Sequence, residues 1–129
     1  MQKLIIKGKR ELKGKISISG SKNSTLPILA ASILANKVCL KNIPLVKDIF
    51  TMVELLNYIG LITKFNKKKN IVEIENNEKN INTLAPYKLV KTMRAGVLVL
   101  GSLLTKYRVA KVSLPGGCAI GSRPVNLHL

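Results

Sequence analysis

The sequence predicts an α/β fold in which short strands alternate with amphipathic helices. Apolar residues recur at helical spacing over Leu26–Leu34 and Val46–Ile59, and Gly60 stands where the second helix should end. Short runs rich in Ile, Val and Leu lie around these segments and are typical of strands. We therefore expect the order β-α-β-α-β-β, followed by one more helix and strand, within a single domain.

The first half of the chain contains three predicted strands. We expect strands at Lys3–Lys7 and Lys15–Ser19, the second with isoleucines alternating with serines. Pro27 should lie in the first turn of the first helix, where its lack of an N–H is tolerated. A strand over Val38–Lys41 joins the two helices, and Cys39 within it should be a buried small hydrophobic residue.

The second half predicts a hairpin, a long helix and a final strand. The strands Leu61–Phe65 and Ile71–Glu75 flank a lysine-rich turn, which we interpret as a solvated tip and not as a nucleic-acid patch. A helix is expected over roughly Tyr87 to Thr105, where two glycines indicate close packing. A strand from Arg108 to Leu114 then leads into a glycine-rich segment.

The charge of the chain does not by itself identify a partner. The formal net charge is +16, and 18 of the 22 basic residues are lysines spread along the chain. A bias toward AT-rich codons would produce the same pattern. The aromatic content of 4% leaves few platforms on which nucleic-acid bases could stack. We therefore favour a small anionic ligand over DNA or RNA.

Other features of the sequence narrow the class of protein. No apolar run is long enough to span a bilayer, and the N-terminus lacks the features of a signal peptide. Two cysteines do not make a disulfide framework, so we expect a cytoplasmic location and no membrane partner. His128 is the only histidine and has no other metal ligand beside it, so we expect neither a metal nor a cofactor.

The most informative segment for function runs from Pro115 to Pro124 and contains Cys118. Its three glycines allow the backbone to approach a ligand and to aim several N–H groups at it. A thiol among such donors, with Arg123 close in sequence, should ionise more readily than an isolated cysteine. A glycine-rich hinge with an incidental cysteine fits the local pattern equally well.

Two earlier segments carry candidate anion-binding residues. Lys22 and Asn23 follow Gly20 at a strand-to-helix junction, where unpaired N–H groups favour a phosphate or carboxylate. Arg94 shares one side of the predicted third helix with Lys88 and Lys91, and arginine is well suited to binding phosphate. A capped helix and solvated cations are the alternatives, and each segment taken alone fits them better.

Four separated motifs stand out along the chain: Ile18–Asn23 with Leu26 and Pro27, Lys41–Pro44, Leu89–Ala95, and Leu114–Val125. Together they resemble the bacterial UDP-N-acetylglucosamine 1-carboxyvinyltransferase family. The resemblance runs from the N-terminus to the last residue, and the motifs agree in both sequence and spacing. The related family that makes 5-enolpyruvylshikimate 3-phosphate shares the fold and an N-terminal lysine but lacks the Gly-Gly-Cys loop.

The resemblance implies transfer of enolpyruvate from phosphoenolpyruvate to the 3-hydroxyl of UDP-N-acetylglucosamine, with release of phosphate. This reaction is the first committed step of peptidoglycan synthesis, and it proceeds by addition to a tetrahedral ketal and then elimination. Lys22, Asn23, Arg94 and Arg123 match positions that bind phosphoenolpyruvate. Cys118 matches the catalytic cysteine, which donates a proton toward C3 and can bond covalently to phosphoenolpyruvate.

The resemblance also implies a set of contacts to the nucleotide sugar. Asn126 replaces the aspartate that is usual in the family, which affects one polar contact to the nucleotide. The residues that match positions contacting UDP-N-acetylglucosamine are Asn23, Arg94, Arg123, Pro124, Val125, Asn126 and Leu127.

The fold implied is the inside-out α/β barrel of enolpyruvyl transferases, built from βαβαββ repeat units and incomplete in this chain. Residues 1–20 are expected to pack with a second domain, and residues 21–129 to form part of the domain that carries the cysteine loop. Family members place the active site between their two domains, so a C-terminal domain should be required and the chain alone should show little turnover. The alternative is a small basic ligand- or nucleic-acid-binding module that does not use Cys118.

Overall fold

Helices and strands alternate along the part of the chain that the structure, a computed structural model, describes: residues 3–9 and 11–114. The predicted site residues Cys118 and Arg123 to Leu127, and His128, lie outside the described residues. Short 3-10 helices occupy Ser32–Leu34, Glu78–Asn80 and Arg94–Leu98. The principal elements are α1 (Lys22–Ala31), β1 (Lys37–Leu40), α2 (Lys47–Ile59), β2 (Leu61–Asn66), β3 (Ile71–Asn76), β4 (Leu84–Ala85), α3 (Tyr87–Val90), α4 (Val99–Tyr107) and β5 (Lys111–Val112).

A three-stranded antiparallel sheet with the strand order β1-β3-β2 lies beside the helices. The hairpin of β2 and β3 confirms the sequence prediction, with Phe65 opposite Val72 and Thr63 opposite Ile74. Val72 and Ile74 are buried on the inner face, whereas Glu73 and Glu75 are exposed on the outer face. The alternation of apolar and acidic residues in β3 thus fixes which face meets the core.

The core lies between the helices and the inner face of the sheet. Helix α2 presents an apolar stripe to α1 and to β2, and the glycine that ends it, Gly60, adopts a left-handed conformation with φ 113°. Burial of each large aliphatic side chain contributes about 1.5–3 kcal/mol. The fully buried residues of the two helices and the sheet are Leu29, Ile49, Met52, Leu55, Leu56, Ile59 and Val72.

Neither of the two strands predicted before residue 20 forms in the described residues, so this prediction is wrong for the isolated chain. Lys3–Lys7 and Lys15–Ser19 have no assigned strand, and their apolar side chains are exposed. Leu4 is 87% exposed and Ile16 is 91% exposed. Alternation of apolar and polar residues indicates which side of a strand would be buried. A strand also requires a neighbouring strand to satisfy its backbone hydrogen bonds.

The third predicted helix is not continuous. Helix α3 ends at Val90, Met93 is extended with φ −133°, and a 3-10 helix then leads into α4. Gly96 packs closely against α3, because a Cβ added there would lie 3.2 Å from the Cγ1 of Val90. A Cβ added at the second glycine of this region, Gly101, would extend into open space, so the predicted close packing applies only to Gly96.

Three smaller predictions also need correction. Helix α1 begins at Lys22, so Pro27 lies in its second turn and not in its first. Cys39 is exposed because β1 is an edge strand and the outer face of the sheet is open to solvent. The last strand is shorter than predicted: α4 ends at Tyr107, its C-cap residue Arg108 is left-handed with φ 64°, and only Lys111–Val112 pairs with β4.

Candidate functional site

The start of helix α1 brings two of the predicted anion-binding residues together. Lys22 and Asn23 are its first two residues, and Ser21 is the N-cap. The Ser21 Oγ accepts the N–H of Ser24 at 3.4 Å, and the Thr25 hydroxyl donates to the Ser21 carbonyl at 2.7 Å. This capping leaves other N–H groups of the first turn directed outward, and such a terminus favours negative charge.

The side chain of Asn42 holds the backbone that precedes α1. Its Oδ1 accepts the N–H of Gly20 at 3.2 Å, and its Nδ2 donates to the Ile18 carbonyl at 3.4 Å. Asn42 itself is left-handed, with φ 58°. A Cβ added to Gly20 would overlap the Asn42 carbonyl oxygen, so only glycine fits there. Two motifs that are far apart in sequence therefore form one structural unit.

An ion pair fixes the ammonium group of Lys22. Its Nζ lies 3.0 Å from the Oδ2 of Asp48, and the two side chains are 48% and 35% exposed. Asp48 is in the first turn of α2 and is the only aspartate in the chain. A half-exposed pair contributes less than about 1 kcal/mol to stability, so its main effect is on where the charge lies.

Arg94 lies on a different element from Lys22 and Asn23. It begins the 3-10 helix that contacts α1, and it is half-buried directly after the buried Met93. Lys88 and Lys91 are exposed, and they do not share a helical face with Arg94 because α3 ends at Val90. The prediction of three cations on one helix is therefore wrong, although the 3-10 helix that begins at Arg94 packs against the helix that begins at Lys22.

The chain is held in place up to the point where the cysteine segment begins. Strand β5 pairs in parallel with β4, and the Ser113 N–H donates to the Ala85 carbonyl at 3.0 Å. Asp48 was missed by the sequence analysis, and the signal for it was an acidic residue in the first turn of a predicted helix. The role of Asn42 was also missed, although its motif was singled out.

A separate open cavity of about 640 Å³ lies at the tip of the β2–β3 hairpin. Among the described residues, none of the predicted site residues lines it. Its lining residues are Lys64, Phe65, Asn66, Lys67, Lys68, Lys69, Ile71 and Glu73.

A metal-binding cluster and a membrane-spanning helix are both absent from residues 3–9 and 11–114. No group of three His, Cys, Asp or Glu side chains there is arranged to hold a metal ion. Within the same residues, no helix combines the length and the apolar character needed to cross a membrane.

Known proteins resemble this chain in sequence along its whole length. The UDP-N-acetylglucosamine 1-carboxyvinyltransferase of Pelagibacter ubique is 59% identical over 130 residues, which cover 100% of this chain and 30% of the relative. The enzyme of the same name from Rickettsia bellii strain OSU 85-389 is 53% identical over 130 residues, with 100% of this chain and 31% of the relative covered. The chain thus spans about 30% of the length of the curated relatives it matches, and the resemblance inferred from the four motifs is confirmed.

The fold also matches a solved structure. The enolpyruvyl transferase NikO from Streptomyces tendae superposes with a TM-score of 0.67 at 21% identity, over 77% of this chain and 23% of that one. This match confirms the predicted fold class, and the described residues form no closed barrel. The sequence model of the family described as EPSP synthase (3-phosphoshikimate 1-carboxyvinyltransferase) matches residues 6–129. On this match and on the four shared motifs, the chain belongs to the EPSP synthase family.

Proposed function

We propose that this chain acts in the transfer of enolpyruvate from phosphoenolpyruvate to the 3-hydroxyl of UDP-N-acetylglucosamine, with release of phosphate. The observation that carries the proposal is the 59% identity, over the whole chain, to a relative named for that reaction. In this function the protein is a transferase of peptidoglycan synthesis in the cell wall. The cytoplasmic location and the lack of nucleic-acid or membrane partners stay predictions.

The reaction needs anion-binding groups on the donor substrate. The sugar hydroxyl gives its proton to a base as its oxygen bonds to C2 of phosphoenolpyruvate, and C3 gains a proton, which gives a tetrahedral ketal. Loss of one proton from the C3 methyl group and of phosphate then restores the carbon–carbon double bond in the product. Because C2 gains cationic character beside a phosphate and a carboxylate, fixed positive groups must hold both anions throughout.

We assign these roles to residues that match the family motifs. Lys22, Asn23, Arg94 and Arg123 bind phosphoenolpyruvate, and Cys118 donates the proton to C3. The assignment is supported at Lys22 by the fixed ammonium at a helix start, and at Arg94 by the contact of its 3-10 helix with α1. UDP-N-acetylglucosamine contacts Asn23, Arg94, Arg123, Pro124, Val125, Asn126 and Leu127.

We further propose that residues 1–20 pack with a second domain, which supplies the base for the sugar hydroxyl. Residues 21–129 then form part of the domain that carries the cysteine loop. The support lies in the exposure of apolar side chains in the first segment, where Ile6 is 80% exposed and Ile18 is 84% exposed. A covering domain would bury these side chains, which otherwise favour association.

A chimera tests the function directly. In it, this chain replaces the matching segment of the Pelagibacter ubique relative, and phosphate release is measured with both substrates. We expect turnover on the order of 1 per second or faster that depends on both substrates, whereas the 129-residue chain alone should show little. A folded chimera that releases no phosphate, together with tight binding of mixed-sequence DNA by the chain, would favour the alternative of a basic binding module.

A further inference from the structure

The ion pair between Lys22 and Asp48 has a role beyond stability. We propose that Asp48 is a positioning residue, which holds the Lys22 ammonium in the orientation that meets an anionic ligand. The inference rests on the proposed function, because phosphoenolpyruvate is the anion that Lys22 would meet there.

The two helices that carry these side chains are packed in the core. Lys22 is the first residue of α1 and Asp48 is the second residue of α2, and the two helices pack against each other. Leu29 of α1 and Ile49 of α2 are both 0% exposed. The backbones that carry the ion pair are therefore fixed by the core, and the distance of 3.0 Å follows from how the helices pack.

The chemistry of an ammonium group explains why a carboxylate helps. An ammonium has three N–H donors on a flexible four-carbon side chain, and Asp48 accepts from one of them. The other two donors stay available to oxygens of a ligand. Because the side chain is already ordered, less conformational entropy is lost when the ligand binds.

When the charge of Asp48 is removed, a purely electrostatic effect and a positioning effect predict opposite changes in the affinity for an anion. Removing one negative charge beside Lys22 would strengthen the attraction of an anion to a chain whose formal net charge is already +16. Removing a positioning group would weaken anion binding, because the ammonium would have to be ordered by the ligand itself. The sign of the change in affinity therefore separates the two effects.

A purely structural role of Asp48, in the stability of α2, must also be distinguished from its proposed role in positioning Lys22. Asp48 lies in the first turn of α2, whose N-cap Val46 makes no side-chain hydrogen bond, so the carboxylate also stabilises the helix terminus. That role changes the thermal midpoint and does not depend on Lys22. A readout at the Lys22 amine itself is therefore needed.

Acetylation of Lys22, measured by peptide mass mapping of the chimera that supplies the second domain, gives that readout. Without ligand, Asp48→Asn should raise the Lys22 acetylation rate about threefold, because the amine loses its carboxylate partner. Lys68, exposed at the hairpin tip, is the reference and should not change. Circular dichroism at the labelling temperature checks that each variant is folded.

Protection by phosphoenolpyruvate then tests positioning. The concentration that halves Lys22 acetylation should rise about fivefold in Asp48→Asn. Asp48→Glu should restore part of the affinity, since it retains the carboxylate. Glu54→Gln removes an exposed charge from the same helix and should leave the protection unchanged or slightly stronger.

The outcomes distinguish this inference from the proposed function. Equal or tighter protection in the Asp48→Asn chimera overturns the positioning role, while protection in the unaltered chimera still supports the role of Lys22 in phosphoenolpyruvate binding. Absence of protection in an unaltered chimera that releases phosphate contradicts that role of Lys22 and overturns the positioning role with it.

Discussion

Lys22 and the lysines at the tip of the β2–β3 hairpin differ in the groups that surround them. Lys22 is paired with Asp48 at 3.0 Å, and the turn before it is held by the side chain of Asn42. Lys67 and Lys68 project from a hairpin tip around an open cavity, where Lys67 lies 5.1 Å from the centre of the Phe50 ring. Positive charge is present in both places, so charge alone does not distinguish them. Lys22 differs because a carboxylate lies beside its ammonium group.

The largest expected effect extends the comparison from lysines to cysteines. In the chimera, Cys118→Ser should lower phosphate release by at least about 100-fold, because the proton donor to C3 is lost. Cys39→Ser, on the exposed outer face of the sheet, should stay within about twofold of the unaltered protein. A fully active Cys118→Ser chimera would remove the cysteine from the mechanism.

The next effect compares a half-buried cation with an exposed one. Arg94→Ala in the chimera should raise the KM for phosphoenolpyruvate about tenfold or more, because charge-assisted contacts to phosphate are lost. Lys67→Ala at the hairpin tip removes the same charge and should change little. Comparable losses in steady-state kinetics would mean that diffuse positive charge governs substrate use.

A third comparison concerns two glycines and the stability of the chain. Gly20→Ala should lower the free energy of unfolding by about 2 kcal/mol, because the new Cβ overlaps the Asn42 carbonyl. Gly101→Ala adds its methyl group to open space inside α4 and should stabilise by up to about 1 kcal/mol. Urea denaturation followed by circular dichroism measures both. Equal stability of the Gly20→Ala variant would show that the turn adapts.

The smallest effect compares two ion pairs. Lys106 has a buried Nζ that lies 3.3 Å from the Glu78 Oε1, so Glu78→Gln should destabilise the chain by about 1 kcal/mol. The Lys13–Glu11 pair is 80% and 77% exposed, so Glu11→Gln should have no measurable effect. The same denaturation assay checks both variants, and a larger loss in Glu11→Gln would reverse the expected order.

Local patterns predicted the part of the fold that local interactions determine. The apolar stripe of α2 and the left-handed Gly60 that ends it are encoded within a few residues, and so is the β2–β3 hairpin. The prediction of a strand at Lys3–Lys7 was wrong because a sequence pattern can indicate which side of a strand is apolar but does not supply the neighbouring strand that it must pair with. The prediction of one continuous helix over residues 87–105 was wrong because the largely apolar pattern does not reveal the break between Val90 and Arg94.

The candidate site was predicted by its charged residues and not by what holds them. Lys22 and Arg94 were found from motifs, whereas Asp48 was missed because it lies 26 positions beyond Lys22 in the sequence. The hydrogen bonds of the Asn42 side chain to Gly20 and Ile18 span 22 and 24 positions, and Asn42 itself is left-handed. No periodicity within one element encodes such contacts, since they arise only after the helices pack.

The hydrogen bonds of Asn42 also have a consequence for hydrogen exchange. Asn42 follows β1, and the N–H of the next residue, Ile43, donates to the Asn70 carbonyl in the hairpin at 2.9 Å. We expect the start of α1, which is joined to this region by exposed side-chain hydrogen bonds, to open locally without disruption of the core. The Gly20 amide, whose proton is held by the Asn42 side chain, should exchange with solvent through this local opening, and its exchange rate would follow the state of the Lys22 turn separately from global unfolding.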